Sequence, residues 1–199
     1  MALEKLDTKV RREQIAEAAL SLVCSHGMKD LSIANVARRV GLVPSGIYRH
    51  FKSKDELIEA ALDLIGRRFL ESTAAACRST SDSLACLKLL LMRHVRLIRE
   101  NQAIPRLLFS DEVYVGRPSR KAKVHGIIAG YLGEVAKIIR DGQRRGEIRP
   151  DVDPDTISMM FLGIVQPGAI LWHLSEERFD VTKHAESAWK VLREDLKVQ

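Results

Sequence analysis

The chain has 199 residues, 46% of them apolar and 29% charged, with a formal net charge of +6. That apolar fraction is too high for a disordered chain, and the length allows one domain or two small ones around a real core. The charge is concentrated: residues 1 to 54 hold ten Lys and Arg against five Asp and Glu, whereas the remainder carries 22 against 21. Such an excess in the first quarter of the chain suits a polyanion partner, although a solvated basic face gives the same count. Cys24, Cys77 and Cys86 cannot all pair within one chain, and none stands in a metal-ligand spacing, which points to a reducing compartment. The opening stretch Met1 to Asp7 has charges every two or three residues and lacks the apolar core of an export signal. A cytoplasmic location is expected.

Periodicity is helical throughout, so the chain reads as all-α. The first helix is predicted from about Lys9 to Ser25, with Ile15, Ala18, Ala19, Leu22 and Val23 on its apolar face and Gly27 as a left-handed cap. Ser32 is placed to cap a short helix from Ile33, which Gly41 stops. Pro44 suits the first position of a third helix, to about His50, because its missing N–H has no helical partner there anyway. This helix points Ile47 and Phe51 inward and leaves Ser45, Gly46, Tyr48, Arg49 and His50 largely outside. Two short helices joined by a tight turn on a longer first helix are the sequence form of a helix-turn-helix.

Ser53 caps a long helix from Lys54 to about Cys77, whose first turn carries Asp55 and Glu56 and whose core face is Leu57, Ile58, Ala61, Leu64, Ile65 and Phe69. The domains are therefore predicted as residues 1–53 and 54–199, with helix 54–77 linking them. A helix from about Leu84 to Asn101 follows, then a weakly patterned stretch, Ala103 to Val115, that allows one short helix. The next long helix is placed from about Ser119 to Arg145, with Gly146 as its cap. Gly126 and Gly130 lie one turn apart on it; each costs about 1 kcal/mol relative to Ala, which close approach of another helix would explain. Asp153 and Pro154 open a helix to Ser175 that carries no charge from Ile157 to Leu174. Its length approaches a membrane span, but acidic residues flank both ends and Gln166, Pro167 and His173 interrupt it, so it is expected to be buried or to face a second subunit. The last helix runs from about Thr182 to Leu196.

Several local strings coincide. They are Arg12-Glu13-Gln14-Ile15 with Ala18-Ala19, then Leu31 to Ala37, then Gly41-Leu42-Val43 leading to Ile47-Tyr48-Arg49-His50-Phe51, and the tail Lys52 to Leu57. Together, over roughly residues 9 to 60, they resemble the tetracycline-repressor-like (TetR) family of transcriptional regulators. The resemblance implies a homodimer on an inverted-repeat operator, with the third helix of each subunit in the DNA major groove and a variable C-terminal domain that dimerises and binds a small effector. Carried over position by position, Ser32, Tyr48, His50 and Lys54 are expected on phosphates, which positions a protein without reading sequence. Base reading then falls to Pro44, Ser45, Gly46 and Arg49, with Ala34 and Asn35 as lesser contributors. Arg49 is the only long side chain in that set; it reaches either guanine or phosphate. Arg11 and Arg12 are expected to steer phosphates, and Arg38 and Arg39 to form a solvated or salt-bridged face.

For the effector, Leu91, His94, Leu108, Phe109, Tyr131, Phe161, Trp172 and His173 supply the aromatic and polar groups of an apolar pocket, although ordinary core packing explains most of them as well. A hydrophobic or amphipathic ligand is expected, with His94 or His173 orienting a polar head. The dimer interface is expected on Gly126, Gly130, Gly133, Ile164 and Leu171, as a four-helix bundle from two chains. No phosphate loop, HExxH, GxSxG or paired metal-ligand spacing appears, so neither enzymatic activity, metal nor cofactor is expected. Repression follows from the resemblance only. Control of the same DNA-binding module by a protein partner, or by oxidation of Cys77 or Cys86, is the alternative to an effector.

Overall fold

The computed structural model describes residues 7–198 and, among them, is all helical apart from one isolated antiparallel bridge, Ile148 with Lys197. Most of the opening stretch read against an export signal lies outside the described residues. The helices are α1 (Thr8–His26), α2 (Ile33–Val40), α3 (Pro44–Tyr48), α4 (Lys54–Ser79), α5 (Ser83–Glu100), α6 (Ala103–Leu108), α7 (Asp111–Tyr114), α8 (Pro118–Arg144), α9 (Pro154–Leu174) and α10 (Val181–Leu196).

The local start signals act as the sequence suggests. Ser32 Oγ accepts the Asn35 N–H at 3.1 Å and opens α2. Ser53 Oγ accepts from Glu56 N at 3.2 Å while Glu56 Oε2 accepts from Lys52 N at 2.9 Å, a reciprocal pair at the head of α4. Asp153 Oδ2 accepts from Thr156 N at 2.8 Å. Gly27 has the positive φ expected of it, 79°, but its ψ of −179° places it outside the left-handed helical region, in one that essentially only glycine occupies. The stretch after Asn101 forms two short helices, α6 and α7, where a single one was expected.

Two compact units form. One comprises residues up to Arg67 together with Asn101–Gly126; the other comprises Arg68–Glu100 and Ile127–Gln199. The physical reason lies in two arginines of the inserted segment. Arg106 Nη1 donates to the carbonyls of Val23, at 3.1 Å, and Cys24, at 2.8 Å, and so places a cation at the negative end of α1. Arg120, buried at the start of α8, donates to Asp55 Oδ1 at 3.1 Å and to the Val113 carbonyl at 3.0 Å. Arg117 pairs with the same carboxylate. In the core of this first unit Ile15, Val23, Val36, Ile47, Phe51 and Leu57 are almost fully buried.

In the second unit α5 packs on α9 and α10, around Leu87, Leu91, Phe161, Val165, Trp189 and Leu196. Gly142 is required there: a Cβ would lie 2.7 Å from Ile148 Cδ1 and 2.8 Å from the Ser83 side chain. The head of α5 is satisfied from outside itself, since Ser83 N donates to Glu147 Oε2 at 2.8 Å and Asp82 Oδ1 accepts from Ala85 N at 2.6 Å. The Arg145 guanidinium beside Glu147 holds its carboxyl at about 2.

The helix α9 is long and apolar enough to cross a membrane, but it is two-sided. Ile157, Phe161, Val165, Ala169 and Trp172 are buried, whereas Met159, Met160, Ile170, Leu171 and Leu174 are exposed.

Asp55→Ala removes the carboxylate that, among the described residues, pairs with a guanidinium that is 3% exposed, and we expect it to cost about 2 kcal/mol or more of unfolding free energy. Arg117→Ala removes a partner that is 46% exposed and should cost less than about 1 kcal/mol. Urea denaturation of both variants checks the ordering; equal losses would mean that Arg120 does not depend on Asp55.

Candidate nucleic-acid interface and effector cavity

A helix of five residues cannot hold its own conformation, so α3 is fixed by what lies beneath it. Ile47 and Phe51 are fully buried, and the Arg12 guanidinium stacks 4.2 Å over the Phe51 ring while donating to the His50 carbonyl. Arg12, expected to steer phosphates, is therefore an anchor of the recognition segment. Arg11 donates to Gln14 Oε1 at 3.0 Å, and Arg39 to Ser21 Oγ at 2.6 Å.

With α3 held from below, Pro44, Ser45, Tyr48 and Arg49 are exposed, and among the described residues no hydrogen bond or ion pair engages the Ser45, Tyr48 or Arg49 side chains. Gly46 is half-buried; the nearest atoms to a Cβ there would be those of the Leu42 side chain, at 3.6 Å or more, so packing does not demand glycine. Val43, read from the sequence as a turn residue, is 66% exposed just before α3 and adds an apolar group to the same edge. Its signal was available, since an apolar residue immediately before a helix-opening proline has no helical face to bury it.

On α2, Ala34 is exposed, and the Asn35 amide donates one N–H to the Asp30 carbonyl at 2.8 Å, which leaves its second N–H and its amide oxygen for a base. Ser32 accepts a backbone N–H and retains its own O–H as a donor. Lys54 is exposed at the start of α4, with Nζ 3.4 Å from the Met28 carbonyl. His50 is half-buried with an unpartnered Nδ1, and its pKa is pushed down by burial and by Arg12, Arg11 and Arg49. A neutral imidazole at pH 7 places hydrogen-bonding capacity, and no charge, at that position.

The expected effector residues are distributed over both units. Leu108 and Phe109 belong to the first unit, where Phe109 is 49% exposed. In the second unit Leu91 and Phe161 are core, and His173 is exposed. His94 is buried with its Nδ1 2.9 Å from the Tyr131 hydroxyl, and both rings pack against Phe69 at centroid distances of 5.2 and 5.1 Å. The two polar groups satisfy each other within the core. A separate cavity of about 440 Å³ opens on this unit, lined by Met92, Val95, Arg96, Arg99 and Glu100 of α5, Trp172 of α9, Glu177 after it and Thr182 of α10. Trp172 is the one expected pocket residue on it. Arg99 Nη1 donates to Thr182 Oγ1 at 3.2 Å, and Arg96 Nε to Glu100 Oε1 at 3.0 Å. The sequence pattern missed these arginines because a charge on a helix reads as solvated whether or not a cavity lies beside it.

Residues 15–61 match the family model described as bacterial regulatory proteins, tetR family, and residues 65–195 match that described as YsiA-like protein, C-terminal region. The chain belongs to the tetR family of bacterial regulatory proteins, whose DNA-binding helix-turn-helix it carries at residues 33–48. Among its relatives, the fatty acid metabolism regulator protein of Bacillus subtilis is 22% identical over 181 residues, covering 90% of this chain and 92% of that one. The structure of the transcriptional regulator FadR from Bacillus subtilis in complex with stearoyl-CoA matches with a TM-score of 0.76 at 19% identity, covering 92% of this chain and 98% of the other. A regulator from Saccharomonospora viridis in complex with choline matches with a TM-score of 0.82 at 18% identity, over 96% of this chain and 100% of the other.

Burial lowers the His94 pKa to about 4, from an unperturbed value near 6.5. Between those values the unfolded chain binds the extra proton and the folded chain does not, so stability is intact above about pH 6.5 and falls as the pH drops towards 4. The full effect is about 3 kcal/mol. Denaturant midpoints measured from pH 7.5 to 4 should flatten in His94→Gln relative to the wild type; parallel curves would place the acid sensitivity elsewhere.

Proposed function

We propose that this regulator is a ligand-responsive repressor, not an enzyme, that acts in the cytoplasm as a homodimer on an inverted-repeat operator. The observation that carries the DNA-binding site is the unengaged outer face of α3. Ser45, Tyr48 and Arg49 point away from the core, without a partner among the described residues, beside the O–H of Ser32 and the ammonium of Lys54. Arg49 reads a base, Tyr48, His50, Ser32 and Lys54 take phosphates, and Val43 with Pro44 offers apolar contact to a thymine methyl.

Two copies are needed because one such helix meets only one major groove; the paired helices must lie about 34 to 36 Å apart. Support for the pairing surface comes from glycines that nothing in the chain requires. Gly126, Gly130 and Gly133 share one face of α8, are exposed, and have no atom within 4 Å of a hypothetical Cβ. The exposed side of α9, with Leu171 at its centre and Ile164 half-buried beside it, is apolar. In the dimer, α8 and α9 of each chain form the four-helix interface.

The effector is an amphipathic molecule with an acidic head. Arg96 and Arg99 supply donors for that head, and Met92, Val95 and Trp172 supply an apolar wall. The stearoyl-CoA bound to the Bacillus subtilis regulator supports this ligand class for the present chain. Such a ligand weakens DNA binding only by its own preference for the DNA-incompetent state, about 1.4 kcal/mol for each tenfold change.

Selection of bound duplexes from a random pool at about physiological salt should recover an inverted repeat. Arg49→Ala should relax one base position per half-site at a cost of about 1 to 3 kcal/mol. Recovery of no sequence, with only salt-sensitive bulk binding, would defeat the operator assignment. Calorimetry with a long-chain acyl-CoA and with choline, run side by side, tests the effector: heat from the acyl compound that Arg99→Ala weakens is expected, and binding of choline alone would overturn the acidic-head assignment.

Gly46→Ala separates packing from recognition. The fold should gain or hold stability, by up to about 1 kcal/mol, because the methyl has room and alanine favours helix. Operator affinity should change all the same, as read by fluorescence anisotropy; unchanged affinity would place Gly46 outside the interface.

A further inference from the structure

The end of α4 and the start of α5 bring two thiols together. Cys77 Sγ and Cys86 Sγ lie 3.0 Å apart, inside the contact distance of two sulfurs and about 1 Å from a disulfide bond length. Their surroundings are unequal: Cys77 is exposed, and Cys86 is buried against the α5 core. The third thiol, Cys24, is half-buried in the other unit. A short turn, Thr80–Asp82, separates the two helices, so the pair closes across a junction and not across the packed middle of either helix.

We propose that Cys77 and Cys86 form a reversible dithiol–disulfide site whose oxidant is a low-molecular-weight disulfide, with Cys77 as the attacking thiol and Cys86 as the resolving one. The first step is attack of the Cys77 thiolate on one sulfur of the oxidant. A Cys77–S–S–R bond forms, the oxidant S–S bond breaks, and one thiolate leaves. In the second step the Cys86 sulfur attacks Cys77 Sγ, the protein S–S bond forms, the second small thiol leaves, and the Cys86 proton passes to it. The protein loses two electrons and two protons overall, and the oxidant is reduced to two thiols.

The asymmetry fixes the order of events. Only Cys77 meets a solute, while burial and the neighbouring Cys77 push the Cys86 thiol up to about 12, so its reaction depends on being held against its target. Arg145 opposes that shift from close by, which favours the thiolate at the moment of resolution. This site is independent of the effector assignment.

The test uses the full chain in a Cys24→Ser background, incubated with oxidised glutathione and analysed intact by mass spectrometry without reductant. The expected product is a monomeric chain lighter by about 2 Da, restored by dithiothreitol, with no accumulated glutathione adduct. Cys86→Ala should instead trap one glutathione on Cys77, and Cys77→Ser should remain unmodified while folded; circular dichroism of each variant confirms the fold. A stable adduct on Cys77 with Cys86 present, or a disulfide between two chains, would overturn the proposal.

Discussion

The Asp55 carboxylate, held by two arginines, is the contact on which the DNA-binding unit depends. Arg120 is 3% exposed and has an Nε without a partner, so its charge is affordable only while Asp55 and the Val113 carbonyl receive its other donors. That pairing fixes the first turn of α4 against the start of α8. The first turn of α4, in turn, carries Lys54 and follows directly from the segment that ends in Phe51. The Arg120 and Arg117 guanidiniums hold the Asp55 carboxyl below the usual carboxylate range, so the pair stays ionised down to more acidic pH than a free carboxylate would.

The recognition helix itself contributes little to its own stability. It has five residues, one of them glycine, and lacks a side-chain cap. Its position comes from Ile47 and Phe51 below and from Arg12, which spends its charge on an aromatic face and a carbonyl. This division of labour leaves Ser45, Tyr48 and Arg49 free of structural duty. A surface so constructed can change its outward residues without disturbing the core, because the residues that hold α3 are not the residues that face outward.

What was legible in the sequence was local. Ser32, Ser53 and Asp153 lie three residues from the N–H groups they accept, Pro44 fixes its own φ and Gly41 tolerates the left-handed conformation that ends α2, so the caps and boundaries of α2, α3, α4 and α9 could be read directly. The outer face of α3 was equally open to reading, since burying Ile47 and Phe51 determines which neighbours remain outside. Contacts made by distant segments left no such trace. Nothing around Arg106 announces the carbonyls of α1, and Asp55 reads as a complement to the dipole of its own helix until Arg120 is placed beside it. The mutual contact of His94 and Tyr131 left no trace for a related reason: both have the composition of a ligand site, and composition does not say who the partner is.

The segment Asn101–Gly126 enters the DNA-binding unit after the chain has already left it for α5. The carbonyls at the end of α1 wait for an arginine 82 and 83 residues further on. During synthesis the N-terminal helices leave the ribosome well before Arg106 and Arg120 exist, and cannot complete their polar contacts until about residue 126 has been added. Pairings this far apart in sequence also raise the contact order of what looks, from its helices, like a fast local fold. The unit that carries the helix-turn-helix is thus completed only after α5 of the other unit has been made.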